Sequence, residues 1–226
     1  MKKHNIRRYV VLAVFAAFAY ASLYVFRISG IGGFLTLDIK DAIITICAML
    51  FGPVSGVAIA LLVSLLEMVT ASGTGPWGFL MNFVSSAVFT AVGSSIYRYA
   101  PKLKKTLSGA VSGLVASVLL TTLCMLLMNL WVTPIYYGIE VEAVQEMMLP
   151  LLLPFNFIKT IMNAAIVLIL YKPLSTAMKR ARVIEGIPEN FRFDKKTIAM
   201  LVCGALILVV CTVFLIVAMD GQFKLW

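Results

Sequence analysis

The chain has 226 residues, 62% of them hydrophobic, a net charge of +9 and a mean hydropathy of +1.00. Soluble domains are about 45–50% apolar, so the composition excludes an ordinary soluble enzyme and points to an integral membrane protein. A charge of +9 would suggest a nucleic-acid partner in a soluble chain, but here the basic residues flank apolar runs, so no nucleic acid is expected.

Residues 1–8 are basic and polar, and an apolar helix is expected over 9–26. A cleaved leader is the rival reading, with Ala19-Tyr20-Ala21 as its processing site. The run is longer than a leader core and continues past that site, so retention is favoured. Residues 27–37 read as a loop, loosened by Gly30, Gly32 and Gly33. After Asp38-Ile39-Lys40-Asp41 comes a short apolar piece, 42–51, closed by Gly52-Pro53. A full crossing takes about 20 residues, so hydropathy leaves this piece ambiguous.

The third helix is expected over 54–71, with Gly52, Gly56 and Ala60 at small-xxx-small spacing and Glu67 interfacial near its end. A fourth is expected over 79–97, with Asn82 in its first turn. A basic loop at 98–105 leads to a fifth helix over 107–132, which carries Asn129 and Trp131 near its end. Residues 133–147 read as a loop holding Tyr136, Tyr137, Glu140, Glu142 and Glu146. The sixth helix is expected over 150–170, kinked or displaced at its start by Pro154. A basic linker and a last, almost purely apolar helix at 197–219 complete the chain.

Charge bias decides the short piece. If it crosses, every basic residue except Arg27, Lys40, Lys159 and Lys224 falls on one side of the membrane. The positive-inside rule makes that side cytoplasmic, with the N-terminus inside and the C-terminus outside. If the piece did not cross, the basic 98–105 loop would sit outside and the Glu-rich loop inside. Seven spans are therefore expected.

The chemistry concentrates in Pro154-Phe155-Asn156-Phe157-Ile158-Lys159, with Asn163 one turn on. At about 100° per residue, positions 156, 159 and 163 share one helix face. An ammonium in mid-span costs at least about 2.5–3.5 kcal/mol, so it needs a cavity or a partner. Two readings stay open: a ligand or pathway role, or a helix contact in which the asparagines satisfy the lysine. Asp38/Lys40/Asp41, Asn82, Asn129 and Asn156/Lys159 all lie near the same helix ends, as a small-molecule pocket requires. For the acidic group the rival is a capped interfacial helix start. Trp77, Trp131, Tyr136 and Tyr137 read mainly as an interfacial aromatic belt. The cysteines, Cys47, Cys124, Cys203 and Cys211, lie in apolar runs without ligand spacing, and His4 stands alone. No metal site, disulfide or cofactor is expected. No hydrolase, metalloprotease or Walker motif occurs, so no enzyme activity and no catalytic residue are assigned.

The order Leu35-x-Leu37-Asp38-x-x-Asp41, Phe51-Gly52-Pro53-x-x-Gly56, Asn82-Phe83 and Pro154-Phe155-Asn156-x-x-Lys159 with Asn163 resembles the substrate-binding S components of energy-coupling factor (ECF) vitamin transporters. The riboflavin-specific members look most similar. The resemblance implies a six-helix substrate-binding domain over residues 1–178, then a basic linker at 179–196 and an added membrane helix with a short tail at 197–226. It implies capture of riboflavin from outside beneath a gating loop at 29–37, and delivery with a transmembrane coupling subunit and two cytoplasmic ATPase subunits. Asn156, Lys159 and Asn129 would hold the vitamin, with Asn163, Asn82, Leu35, Leu37 and Asp38 beside them. Ala13, Ala17 and Ala21 on the first helix would dock the coupling subunit. At position 40 the resemblance leads to a small polar residue, where this chain has Lys40. Another vitamin or precursor, such as a pyridoxine, pantothenate or thiamine-like ligand, and a structural membrane protein with no ligand remain the alternatives.

Overall fold

Glycine and proline punctuate the apolar runs, and the computed structural model follows that punctuation at Gly52-Pro53 but not at Pro134 or Pro150. It describes residues 2–31, 35–71, 73–181, 183–184 and 195–218. Among them, α1 (Lys2–Val25) leads into a hairpin of β1 (Arg27–Ile31) and β2 (Leu35–Asp38). Then come α2 (Lys40–Phe51), α3 (Pro53–Thr70), α4 (Gly75–Tyr99) and α5 (Leu107–Tyr137). The short α6 (Val141–Met147) passes through one π-helical turn, Met148–Leu152, into α7 (Leu153–Arg180), and α8 (Lys195–Ala218) closes the series. Six spans and one addition match the expected all-α membrane bundle.

Local chemistry explains the boundaries. Gly52 takes φ 111° between α2 and α3, a backbone state that L side chains rarely adopt. Pro53 then opens α3, where its missing N–H has no partner to lose. The expected end of the fifth helix at 132 fell short. Pro134 sits so near the C-terminus of α5 that little of the hydrogen-bond ladder is lost, and Gly138 closes the helix in the left-handed conformation. The expected loop at 133–147 is therefore mostly helical. Nor does the sixth span start near 150: the helical run begins at Val141, and the wider π turn accommodates Pro150 ahead of Pro154. It also continues past 170, because Tyr171, Leu174 and Met178 still pack on the core.

Among the described residues, five helical stretches are long and apolar enough to cross a membrane. Helix α2, at 12 residues, is only about 18 Å long at 1.5 Å per residue. It packs against α1, α3, α4 and α7 and is buried over most of its length. Its surroundings are protein rather than lipid, so its length need not match the bilayer. That is why hydropathy alone could not place it.

Hydrocarbon is as apolar as a leucine side chain, so helix association in a membrane depends on close packing. The α4–α5 contact illustrates this: a Cβ on Gly113 would lie 2.6 Å from the Gly93 carbonyl oxygen. Helix α1 turns Phe15, Ala16, Ala19 and Leu23 into the core and leaves Ala13, Ala17 and Ala21 exposed on its outer face. Helix α8 lies on α7, with Gly204 against Ile169.

The two ends of the bundle differ. At one, Arg98 donates to the carbonyls of Met49 and Leu50 at 3.1 and 2.8 Å. Arg8 reaches the Phe51 carbonyl and Ser55 Oγ, both at 3.1 Å, and Arg7 bonds the Ala181 carbonyl. The start of α1, the ends of α2, α4 and α7, and the basic 98–105 turn thus meet there. At the other end, the Tyr20 hydroxyl donates to Thr70 at 2.7 Å and Arg27 to the Ala71 carbonyl at 2.9 Å, beside the hairpin.

Candidate functional site

The expected loop at 27–37 is an antiparallel hairpin in which Arg27 pairs with Asp38, Ile28 with Leu37 and Ser29 with Thr36. The 32–34 tip of the expected gating segment lies outside the described residues. Leu35 and Leu37, two apart in β2 and so on one face, are buried in a cluster with Val144, Leu152, Phe155 and Ile158. This seats the second strand against the α6–α7 run.

Beneath the hairpin lies a cavity of 540 Å³, within the size range of ligand pockets. Its walls come from the hairpin, the α3–α4 turn, and the near ends of α4, α5 and α7. Asn82, Asn129, Asn156, Lys159 and Leu35 line it, as expected of a common pocket. Asn163, Leu37 and Asp38 do not line it. Asn129 donates to the Met125 carbonyl at 2.7 Å and accepts from the Thr133 hydroxyl at 3.0 Å. Asn156 donates to the Leu152 carbonyl at 2.8 Å. Each amide is thus anchored one turn back on its own helix, which fixes the group presented to the cavity. Apolar walls come from Met81, Met125, Val132 and Phe155.

Lys159 is 7% exposed. Its ammonium is held by Asp38, with Nζ 2.8 Å from Oδ2, and it also donates to the Thr36 carbonyl at 3.2 Å. The asparagines do not satisfy it; a carboxylate on the hairpin does. The capping role considered for Asp38-Ile39-Lys40-Asp41 holds in part, since Asp38 Oδ1 accepts the Lys40 N–H at 3.3 Å. The N-cap of α2 is Ile39, with no side-chain cap. Asn163 supplies the missing acceptor from α7: its Oδ1 takes the Ala42 N–H at 2.8 Å, while its Nδ2 donates to the Asp38 carbonyl at 3.0 Å. The side chain expected in the pocket instead joins α7 to the start of α2.

Glu67, near the end of α3, is enclosed by protein. It and Lys40 are each 1% exposed, and they face each other at 2.5 Å. Lys40 lies 3.9 Å from Asp38, Arg27 lies 3.8 Å from Glu67, and Asp41 accepts from Ser86 Oγ at 2.5 Å. The charge at position 40 therefore has buried partners on β2 and α3. A buried cation survives when paired in this way; alone, it would cost several kcal/mol.

Several cavity residues escaped the sequence reading. Arg27, not counted among the expected pocket residues, lines the cavity. Trp77, Tyr136 and Tyr137 also line it, although an aromatic belt was favoured for them; Trp131 is 57% exposed and lies elsewhere. Local sequence held no signal for Arg27, because its partner Glu67 lies far along the chain. The four cysteines are free, and no group of metal-ligating residues occurs among the described residues.

Comparison with known proteins gives a consistent match. The family model described as "ECF transporter, substrate-specific component" matches residues 7–171. The chain is 26% identical over 181 residues to the riboflavin transporter RibU of Staphylococcus aureus (strain TCH60), covering 77% of this chain and 93% of that one. It is 23% identical over 187 residues to the riboflavin transporter FmnP of Bacillus subtilis (strain 168), covering 79% and 97%. A solved structure titled "Structure and mechanism of the S component of a bacterial ECF transporter" aligns with a TM-score of 0.65 and 27% identity, over 78% of this chain and 99% of that one. Helix α8 begins beyond the residues that the family model matches.

Proposed function

The chain belongs to the substrate-specific components of ECF transporters, a family of multi-pass membrane proteins, and from that premise we propose that it captures riboflavin in the hairpin-covered cavity. The observation that carries the reading is the cavity itself: 540 Å³, apolar on several walls, with Asn82, Asn129, Asn156 and Lys159 converging on it. A flat tricyclic ring gains from burial against Met81, Met125 and Phe155, while a few fixed polar groups set its orientation. In this reading Asn156, Lys159 and Asn129 meet the ring carbonyls or the ribityl hydroxyls. Asn82 and Leu35 complete the wall, and Leu37, Asp38 and Asn163 hold the second strand and Lys159 in place.

The cavity opens at the end opposite Arg7, Arg8 and Arg98. Positive residues favour the cytoplasm, so the N-terminus lies inside and the site faces outside. The hairpin is the gate. As membership of the family implies, import would be driven by a coupling subunit and two ATPase subunits; the chain itself carries no ATP-binding motif. The exposed Ala13, Ala17 and Ala21 stripe on α1 suits close approach of a partner helix. In this reading residues 1–178 are the substrate-binding unit, 179–196 a cytoplasmic linker and 197–226 an added membrane helix with a short tail; 185–194 and 219–226 lie outside the described residues.

The test is to identify by mass spectrometry the ligand carried through purification in mild detergent. The expected result is riboflavin and a yellow protein. A colourless protein whose tryptophan fluorescence does not change on adding riboflavin would refute the assignment.

A further inference from the structure

Helix α8 lies outside the region that the family model matches, and flavin capture gives it no part. Its packing is nonetheless one-sided. Gly204, Ile207 and Cys211 share one face at helical spacing. Gly204 and Cys211 are buried and Ile207 is half-buried, while Val202, Leu206, Val209 and Val213 are exposed. A Cβ on Gly204 would lie 2.8 Å from Ile169 Cγ1 and 3.5 Å from the Ala165 carbonyl oxygen, so α8 sits close on the α7 backbone. Further along, Cys211 is buried in the same apolar cluster as Leu35, Leu37, Phe155 and Ile158, and Ile207 packs against that cluster. Residue numbers rise along α8 as they fall along α7. The added helix therefore runs antiparallel to α7 and returns to the end of the bundle that carries the hairpin.

We propose that Ile207 and Cys211 are positioning residues that brace the cover of the cavity: through the shared apolar cluster they hold β2 down and slow the release of bound flavin. This rests on the flavin reading above and adds a control on ligand exchange that comes from the extra helix. Leu35 and Thr36 of β2 line the cavity, and Leu35 and Leu37 are seated in the cluster. Lifting β2 withdraws both leucines from that seat and exposes apolar surface to water, which opposes the movement. A close-packed interior relaxes only partly around a lost group, so a void on the α8 side loosens the seat that the leucines occupy. Neither Ile207 nor Cys211 lines the cavity. They act on the ligand through the cover alone, and their effect falls on the rate at which it opens.

The experiment loads the purified full chain with radiolabelled riboflavin, chases with excess unlabelled riboflavin and follows the label retained. Ile207→Ala/Cys211→Ala is expected to release at least about fivefold faster than the wild type, which corresponds to about 1 kcal/mol on the closed cover. Val209→Ala/Val213→Ala, on the exposed face of α8, should release at the wild-type rate. The number of sites at saturation separates bracing from folding. A helix that only kept the chain folded would lower the sites per chain and leave the release rate of the remaining sites unchanged. Should the inward-facing double variant fail to fold, Cys211→Ala alone carries the test, with release faster than the wild type expected. Unchanged release in the inward-facing variant, or equal acceleration in the Val209→Ala/Val213→Ala control, overturns the inference while leaving the flavin site in place. A wild type that retains no label at any time overturns the flavin reading itself.

Discussion

Lys159→Met removes the closest counter-charge of a fully buried carboxylate. Asp38 would lose an ammonium at 2.8 Å and keep Lys40 at 3.9 Å. At an effective dielectric constant of about 20, these gross attractions are about 6 and about 4 kcal/mol, so Asp38 keeps less than half of its compensation. Removing one partner of a buried pair typically costs about 3–5 kcal/mol net. Because Lys40 remains, the expected loss lies at the lower end, about 3 kcal/mol. Adding Asp38→Asn removes the stranded charge, and the double variant should recover most of that loss, giving a coupling energy of about 2 kcal/mol. Unfolding of the purified protein by a denaturing detergent, followed by circular dichroism, reads both values. Riboflavin affinity should fall in Lys159→Met and stay low in the double variant, which separates the stability effect from the ligand contact. Additive stability losses would refute the pairing; recovered affinity in the double variant would refute the contact.

Asn163→Ala should cost about 1–2 kcal/mol in the same unfolding assay, the usual effect of losing a helix N-cap acceptor, and should reduce ligand affinity less than Asn156→Ala; the opposite order would place Asn163 at the ligand. Gly113→Val should destabilise the α4–α5 contact by at least about 1–3 kcal/mol, since even a Cβ there meets the Gly93 backbone, and a thermal-shift assay would detect it. Ala17→Trp should abolish co-purification with the coupling and ATPase subunits while leaving riboflavin titration unchanged, because Ala17 lies on the exposed face of α1; undiminished co-purification would move the docking face elsewhere. Truncation after residue 184 should leave the bundle folded, since α8 makes its main contact with α7 alone, but should loosen the second strand, whose buried cluster includes Cys211; loss of folded protein would make α8 an integral part of the core.

The long apolar runs were readable because length and hydropathy are local properties. Charge bias placed the short second piece among the spans by comparing distant loops. Helix ends were less legible, since Pro134 and Pro150 stop a helix only where the lost hydrogen bonds and steric clash outweigh the packing around them. The hairpin carried a faint signal, with Leu35 and Leu37 alternating with polar neighbours after Gly32-Gly33; a pattern that short cannot outweigh three glycines that read as loop. The cavity asparagines and Lys159 were visible because polar groups are expensive in an apolar run. What Lys159 bonds to was not. Asp38, Lys40 and Glu67 are assembled by the packing of β2, α2, α3 and α7, and no spacing along the chain encodes that meeting. The same limit hid Arg27 and sent Asn163 to the pocket when it caps α2.

The most direct measurement of the central claim is an equilibrium titration of riboflavin against the purified wild type and Asn156→Ala, read by quenching of flavin fluorescence. Saturable binding at one site per chain, weakened at least about tenfold (about 1.4 kcal/mol) in the variant with its fold intact by circular dichroism, is the predicted result. No saturable binding by the wild type, or equal affinity in the two proteins, would contradict a flavin site in this cavity.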